Sequence, residues 1–299
     1  MSVVPHLVQY QGSKRNLANK IISYIPRETK RIIEPFSGTA AVTIACANKE
    51  IGDEYLVNDL NEPLIKLLEI VINAPERIAK EYEKIWKKQL DNPINYYYEI
   101  REKFNSTHNP VLFLYLLARC VKGSVRYNSA GQFNQSPDKR RKGTCPDKMA
   151  HNIFGISSLL KGKVVFSSVD YKQVLAKATG DDVVYMDPPY QGVCGDKDSR
   201  YYSGINHFEF VEELRKLKHQ NIPFIVSYDG KMGNKEYGNT LPADLQLEHI
   251  YINAGRSSQA TLLGRNDETI ESLYVSKKLV GNCNSGGCEN QYELFERIS

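Results

Sequence analysis

The chain has 299 residues, a formal net charge of +4, and 41% hydrophobic and 25% charged residues. This is an ordinary globular composition, with room for one large α/β domain or two smaller ones. No run of about 18 apolar residues is present, which excludes a membrane-spanning helix, and Met1–Gln11 lacks the apolar core of a secretory leader. A cytoplasmic location is expected. The charge permits a nucleic-acid partner without requiring one. Cys46, Cys120, Cys145 and Cys194 are scattered singly, and Cys283 and Cys288 frame a Gly/Asn/Ser loop. No His or further Cys pair completes a zinc site, so free thiols and no metal are expected.

Taken in order, Val8–Asn16 holds a Gly12-Ser13-Lys14 loop that opens a helix with Leu17, Ile21, Ile22 and Ile25 on one face, closed by Pro26. Such a loop is either a basic surface turn or a cradle for an anionic group around Tyr10 and Lys14. Arg31-Ile32-Ile33-Glu34 is a short strand ending at an acid. Phe36-Ser37-Gly38 then makes a tight turn into a helix through Ile44 and Ala45. The spacing is not Gly-x-Gly-x-x-Gly, which argues against a nicotinamide or flavin dinucleotide. A second strand, Tyr55–Asn58, ends at Asp59, 21 residues after Gly38. An acid roughly 20 residues beyond the first turn suits the two hydroxyls of a ribose; an N-cap before Glu62-Pro63 is the plainer role.

From Pro63 to about Phe104 the apolar residues recur at helical spacing, with Tyr96, Tyr97 and Tyr98 expected in the core. Val111–Val121 is a strongly apolar helix. Beyond it the composition turns polar, with Arg119, Lys122, Arg126, Asn128 and Asn134 able to meet phosphates or base edges. Lys139, Arg140 and Arg141 form a basic run that serves either as a solvated loop or as part of the same positive face. A helix through Ile153, Ile156 and Leu160 leads to a strand, Lys163–Phe166, and then to Asp170-Tyr171, another acid and aromatic at a strand end.

The decisive stretch is Val183-Val184-Tyr185-Met186-Asp187-Pro188-Pro189-Tyr190. Its β-branched apolar run predicts a buried parallel strand. The two prolines end the strand, since they donate no ladder hydrogen bonds. An acid at the carboxyl end of such a strand faces the crevice where ligands of open α/β sheets bind. The Asp187 carboxylate and the Pro188 carbonyl can accept two hydrogen bonds from one amino group, and the Tyr190 ring can lie over a flat base. Gln191–Gly204 is a candidate lid. Phe208–Gln220 is a helix and Phe224–Tyr228 a strand. Leu247–Tyr251 and Ser272–Ser276 are paired around Arg256 and Ser257, as in a terminal hairpin.

Glu34-Pro35-Phe36-Ser37-Gly38 followed, after a helical segment, by Asp187-Pro188-Pro189-Tyr190 resembles the D12 class of adenine-specific DNA methyltransferases. That class includes Dam-type enzymes and modification enzymes of type II restriction systems, and the order of motifs matches its alpha arrangement. The resemblance runs from Tyr10 to about Lys278. It implies an α/β fold: a Rossmann-like class I S-adenosylmethionine-dependent methyltransferase sheet, discontinuous over 1–61 and 150–280. A helical target-recognition insert would occupy 62–149 and a tail 281–299.

On the resemblance, Tyr10 and Lys14 meet the methionine end of S-adenosylmethionine. Glu34, Phe36, Ser37 and Gly38 form its turn, Asp59 takes the ribose, and Asp170 and Tyr171 hold the adenine. Asp187, Pro188, Pro189 and Tyr190 carry the catalysis. Arg126 reads a base, and Arg256 and Ser257 contact phosphate. The implied activity is N6 methylation of an adenine flipped out of double-stranded DNA, by a monomer paired with a cognate restriction endonuclease. Cytosine N4 methylation, an RNA or protein-glutamine target, and a non-catalytic DNA-binding protein of the same fold remain alternatives. Asp rather than Ser at position 187 favours adenine.

Overall fold

The computed structural model describes residues 4–189, 205–232, 235–237, 240–256 and 268–280; for 229–232, 235–237, 253–256, 268 and 269 it gives the backbone alone. Eight strands form one sheet: β1 (Arg31–Glu34), β2 (Glu54–Asn58), β3 (Val164–Ser167), β4 (Asp182–Met186), β5 (Phe224–Met232), β6 (Lys235–Tyr237), β7 (Leu247–Arg256) and β8 (Glu268–Ser276). Their order is β3-β2-β1-β4-β5-β8-β7, with β6 added to β5. The first five are parallel, while β8 pairs antiparallel with both β5 and β7. The chain winds outward from β1 to β3, then returns to lay β4 on the other side of β1. That reversal is the topological switch point at which open sheets bind ligands.

Central strands β1 and β4 are buried on both faces, and their apolar runs reflect this. Their start is fixed by charge. Arg31, opposite Asp182 in register, donates from Nε and one terminal nitrogen at 2.9 and 2.7 Å. Asp182, which resembles a turn residue in the sequence, is thus the buried first residue of β4. This bond, aided by the Asp182 charge, raises the Arg31 guanidinium above its ordinary range.

Between β2 and β3 lie α3 (Glu62–Asn73), α4 (Pro75–Lys88), α5 (Pro93–Thr107), α6 (Pro110–Arg119) and α7 (Pro146–Leu160), after α1 (Ala18–Ile22) and α2 (Ala41–Asn48). The stretch 63–104, expected as one helical region, is three helices, because Pro75 and Pro93 each open a new one at its first turn. The expected insert boundary at 149/150 falls inside α7 and is corrected by it. Moreover, one continuous core joins Ile32, Tyr55 and Val183 of the sheet to Leu68, Tyr82, Phe113 and Ile153 of these helices. The helical segment therefore shares its core with the sheet domain. A second core on the opposite face gathers Val184, Met186, Phe210 and Leu214 from β4 and α9 (His207–His219). Among the described residues no helix is long and apolar enough to cross a membrane.

Candidate active site

The carboxyl ends of β1, β2 and β4, together with the N-terminal loop, enclose a cavity of about 310 Å³. Tyr10, Lys14, Glu34, Phe36, Ser37, Gly38, Asp59, Asp170, Tyr171, Asp187, Pro188 and Pro189 all line it. Adjacent strands put three of the acids side by side: Glu34 ends β1, Asp59 follows β2 and Asp187 follows β4. Tyr190 and Gln191–Gly204, the expected stacking ring and lid, lie outside the described residues.

Asn58 ties the strand ends together, and no motif in the sequence points to it. It is buried, and its amide donates to the Pro35 and Val169 carbonyls at 2.9 and 3.0 Å. Its oxygen accepts from Ser167 Oγ at 2.7 Å and from the Val169 amide at 3.0 Å. Four bonds exhaust the capacity of an asparagine side chain. The one signal available was a polar residue inside the apolar run of β2.

Asp59 Oδ2 accepts from the Gly38 amide at 2.9 Å, and its Oδ1 from the Asn61 amide at 2.9 Å. Its carboxylate thus shapes the turn as well as lining the cavity. Burial moves its titration up, opposed by those two amides. Gly38 has a left-handed backbone (φ 48°), and a Cβ there would lie 3.4 Å from the Tyr10 ring. Glu34 is fully enclosed; its Oε2 accepts from the Thr43 amide at 3.2 Å and from the Thr43 hydroxyl at 2.5 Å. Burial pushes the Glu34 carboxyl up to about 8, the Thr43 bonds oppose this, and the Asp187 and Asp59 charges add to it. Asp170 Oδ1 accepts from the Lys172 amide at 2.8 Å, capping a short helix, α8 (Tyr171–Leu175), that the sequence did not announce. The Phe36 and Tyr171 rings pack 5.2 Å apart, tilted to each other and edge-on to Phe210, making an aromatic wall.

Lys14 is buried, and its ammonium lies 2.8 Å from Asp187 Oδ1 and 3.5 Å from Glu271 Oε2. Neither contact is legible around Lys14 in the sequence, since the partners lie on β8 and beyond β4. The loop carrying Lys14 is held by the segment after α6: the Gln11 amide donates to the Gly123 carbonyl at 3.0 Å. Gly123 has φ +60°, and a Cβ on it would sit 2.0 Å from the Gln9 carbonyl oxygen.

On the nucleic-acid side, Lys122, Arg126, Asn134, Lys139, Arg140 and Arg141 are exposed, and Asn128 is half-buried. Asn128 Oδ1 accepts from the Ala130 and Gln132 amides, so it builds the tight loop between Tyr127 and Phe133. Arg119 must be corrected. It is 2% exposed, and its guanidinium donates to the Asp138 carbonyl at 2.9 Å and the Pro93 carbonyl at 3.4 Å. It pins the basic loop from within and is not available to DNA. The unbroken apolar run Val111–Leu117 signalled a helix with no wet face, in which a terminal arginine is enclosed. Arg256 is described by its backbone in β7, and Ser257 lies outside the described residues.

The cavity suits a ligand carrying positive charge and a flat ring. Five carboxyl side chains (Glu34, Asp59, Asp170, Asp187 and Glu209) line it against two lysines, Lys14 and Lys172. Ser37 Oγ and Tyr171 Oη are buried there without a hydrogen-bond partner among the described residues; buried polar groups left this way call for a bound partner. Among the described residues no three His, Cys, Asp or Glu side chains are grouped to hold a metal ion.

The DNA adenine methylase of Serratia marcescens is 27% identical over 271 residues, covering 86% of this chain and 93% of the relative. The DNA adenine methylase of Escherichia coli strain K12 is 26% identical, covering 77% and 82%. The type II methyltransferase M.MjaIII of Methanocaldococcus jannaschii is 27% identical, covering 73% and 79%. A putative S-adenosylmethionine-dependent methyltransferase of Listeria monocytogenes superposes with a TM-score of 0.38 at 9% identity, over 89% of this chain and all of the other. The family model for D12 class N6 adenine-specific DNA methyltransferases matches residues 10–258, and the chain belongs to that family.

Proposed function

We propose that the family's reaction, N6 methylation of DNA adenine, runs in this cavity. Asp187 and the Pro188 carbonyl would hold the target amine, with S-adenosylmethionine in the turn formed by Phe36, Ser37 and Gly38. The observation that carries this is the placement of the Asp187 carboxylate on the cavity wall, beside the rigid Pro188-Pro189 exit. An adenine in a duplex is out of reach of such a cleft, so it must be extruded, at a cost of a few kcal/mol.

When bound, S-adenosylmethionine supplies an electrophilic methyl group on a cationic sulfur. The chain supplies the rest. Asp187 and the Pro188 carbonyl accept the two amine hydrogens, drawing the nitrogen lone pair out of the ring. They also stabilise the positive charge that develops on nitrogen. Asp59 and Asp170 offer acceptors to hydroxyl and amino groups of the cofactor, and Phe36 and Tyr171 an aromatic wall for its base. Ser37 Oγ and Tyr171 Oη gain partners that they lack among the described residues. Tyr190 stacks on the extruded base. Lys122, Arg126, Asn128, Asn134 and the run Lys139–Arg141, with Arg256 and Ser257, meet the duplex, Arg126 at a base edge. The protein would work in the cytoplasm as a monomer protecting DNA from a cognate restriction endonuclease, a role supported by the type II relative.

Asp187→Ala is expected to abolish transfer of labelled methyl groups to mixed-sequence duplex DNA while calorimetry still registers cofactor binding. Normal turnover in that variant refutes the assignment. Mass analysis of nucleosides from the product separates N6-methyladenine from N4-methylcytosine.

A further inference from the structure

Glu271 belongs to none of the motifs above. It stands on β8, opposite Gly230 of β5 and Ile252 of β7, and its side chain turns to the face shared with Leu273 and Val275. There it reaches Lys14. The Lys14 side chain is 5% exposed, and its ammonium lies between two carboxylates, 2.8 Å from Asp187 and 3.5 Å from Glu271. The two contacts are unequal. Glu271 Oε2 is buried, yet it accepts no hydrogen bond among the described residues.

A buried carboxylate oxygen without a hydrogen bond is costly, so a purely structural anchor would be expected to close that last gap. The open contact makes sense if the ammonium has two resting places. Asp187 has to stabilise positive charge growing on the target nitrogen, and an ammonium on its Oδ1 opposes that. Removing the ammonium altogether would take from Glu271 its only basic ion-pair partner among the described residues, and a cation from Asp187, beside Glu34 and Asp59. Passing it to a second carboxylate avoids both penalties.

We propose that Glu271 is a positioning residue for methyl transfer. It draws the Lys14 ammonium away from Asp187 Oδ1 as the target amine arrives, so that more of the Asp187 charge faces the amine while the ammonium keeps a carboxylate partner. The inference rests on the assignment of Asp187 as amine acceptor.

The test is methyl transfer to duplex DNA at saturating cofactor, comparing the wild type with Asp187→Ala, Glu271→Gln, Glu271→Asp and the double variant Lys14→Gln/Glu271→Gln. Glu271→Gln keeps the shape and removes the charge. Its kcat is expected to fall roughly 10- to 100-fold, with the KM for DNA and for cofactor within about twofold and the melting temperature unchanged. Glu271→Asp restores part of the loss. The double variant runs faster than Glu271→Gln alone, because no ammonium remains trapped on Asp187; a merely structural role for Glu271 predicts no such rescue. Wild-type kcat in Glu271→Gln, or a double variant no faster than that single one, overturns the proposal. If Asp187→Ala is inactive and Glu271→Gln is unimpaired, only this inference falls. If Asp187→Ala turns over normally, the assignment beneath it falls as well.

Discussion

Glu34 offers a direct test of how the fold treats charge at the site. The folded chain holds the Glu34 proton up to about pH 8, chiefly through burial, whereas the ordinary value is 4.5. The sign follows from proton counting. Between those two values the folded state binds more protons than the unfolded state, so stability falls as pH rises. The contribution of the protonated carboxyl is complete below 4.5 and is lost by the time pH passes about 8. At about 1.36 kcal/mol per unit the whole span amounts to at most ~5 kcal/mol, and relaxation with water entry would bring it nearer ~2–3 kcal/mol. Glu34→Gln is isosteric, keeps an acceptor for Thr43 and cannot titrate. Its stability relative to wild type is therefore expected to rise by ~2–4 kcal/mol from pH 5 to pH 8.5. Urea unfolding followed through the single tryptophan, Trp86, reads this directly. Parallel stability–pH curves for the two proteins would refute the reasoning.

Three further outcomes are expected. Gly123→Ala drives a Cβ to 2.0 Å from the Gln9 carbonyl oxygen at a left-handed backbone. It should cost more than about 2 kcal/mol in chemical denaturation and weaken cofactor binding by shifting the Tyr10–Lys14 loop. Arg119→Met, which leaves the Asp138 and Pro93 carbonyls without their donor, should destabilise by about 2–4 kcal/mol. The slope of DNA affinity against salt should stay unchanged; a slope reduced by about one unit would place Arg119 on phosphate after all. Arg126→Ala should cost about 1–3 kcal/mol at one base position and relax discrimination there, measured by competition between duplexes differing at single pairs. A loss that is uniform across sequences would assign Arg126 to phosphate instead.

The parts of the site that come from contiguous residues were legible in the sequence. Val183–Met186 followed by Asp187-Pro188-Pro189 carries its own strand and its own end, because apolar β-branched residues and prolines act locally. The same holds for Arg31–Glu34 and the Gly38 turn. What could not be read depends on partners far along the chain. Nothing near Lys14 reports that β8 brings Glu271 to it, and nothing near Asn58 reports that Pro35, Ser167 and Val169 converge on it. Arg119 illustrates another limit. Residue type suggests a surface cation, but the helix it ends is apolar all round, and a guanidinium can be enclosed when backbone carbonyls take its terminal nitrogens. The insert boundary failed for a related reason, since composition changes at the polar loop while the core runs on through α7.

The strand order explains why so many acids meet. Laying β4 beside β1, with β2 on the other flank, brings three carboxyl strand ends to one edge, each followed by a turn that faces the same cavity. Such a cluster opposes its own ionisation, and the three acids relieve it differently. Glu34 keeps its proton, Asp59 spends its oxygens on backbone amides, and Asp187 takes a lysine from the N-terminal loop. The last of these arrangements turns on a side-chain contact, and it belongs to the carboxylate proposed to accept the target amine. A cationic ligand entering beside all three lowers their mutual repulsion without disturbing the two fixed ones. On the proposed assignment, binding energy and catalytic readiness draw on the same electrostatic strain, which the fold builds by topology and the Lys14–Asp187 pair offsets.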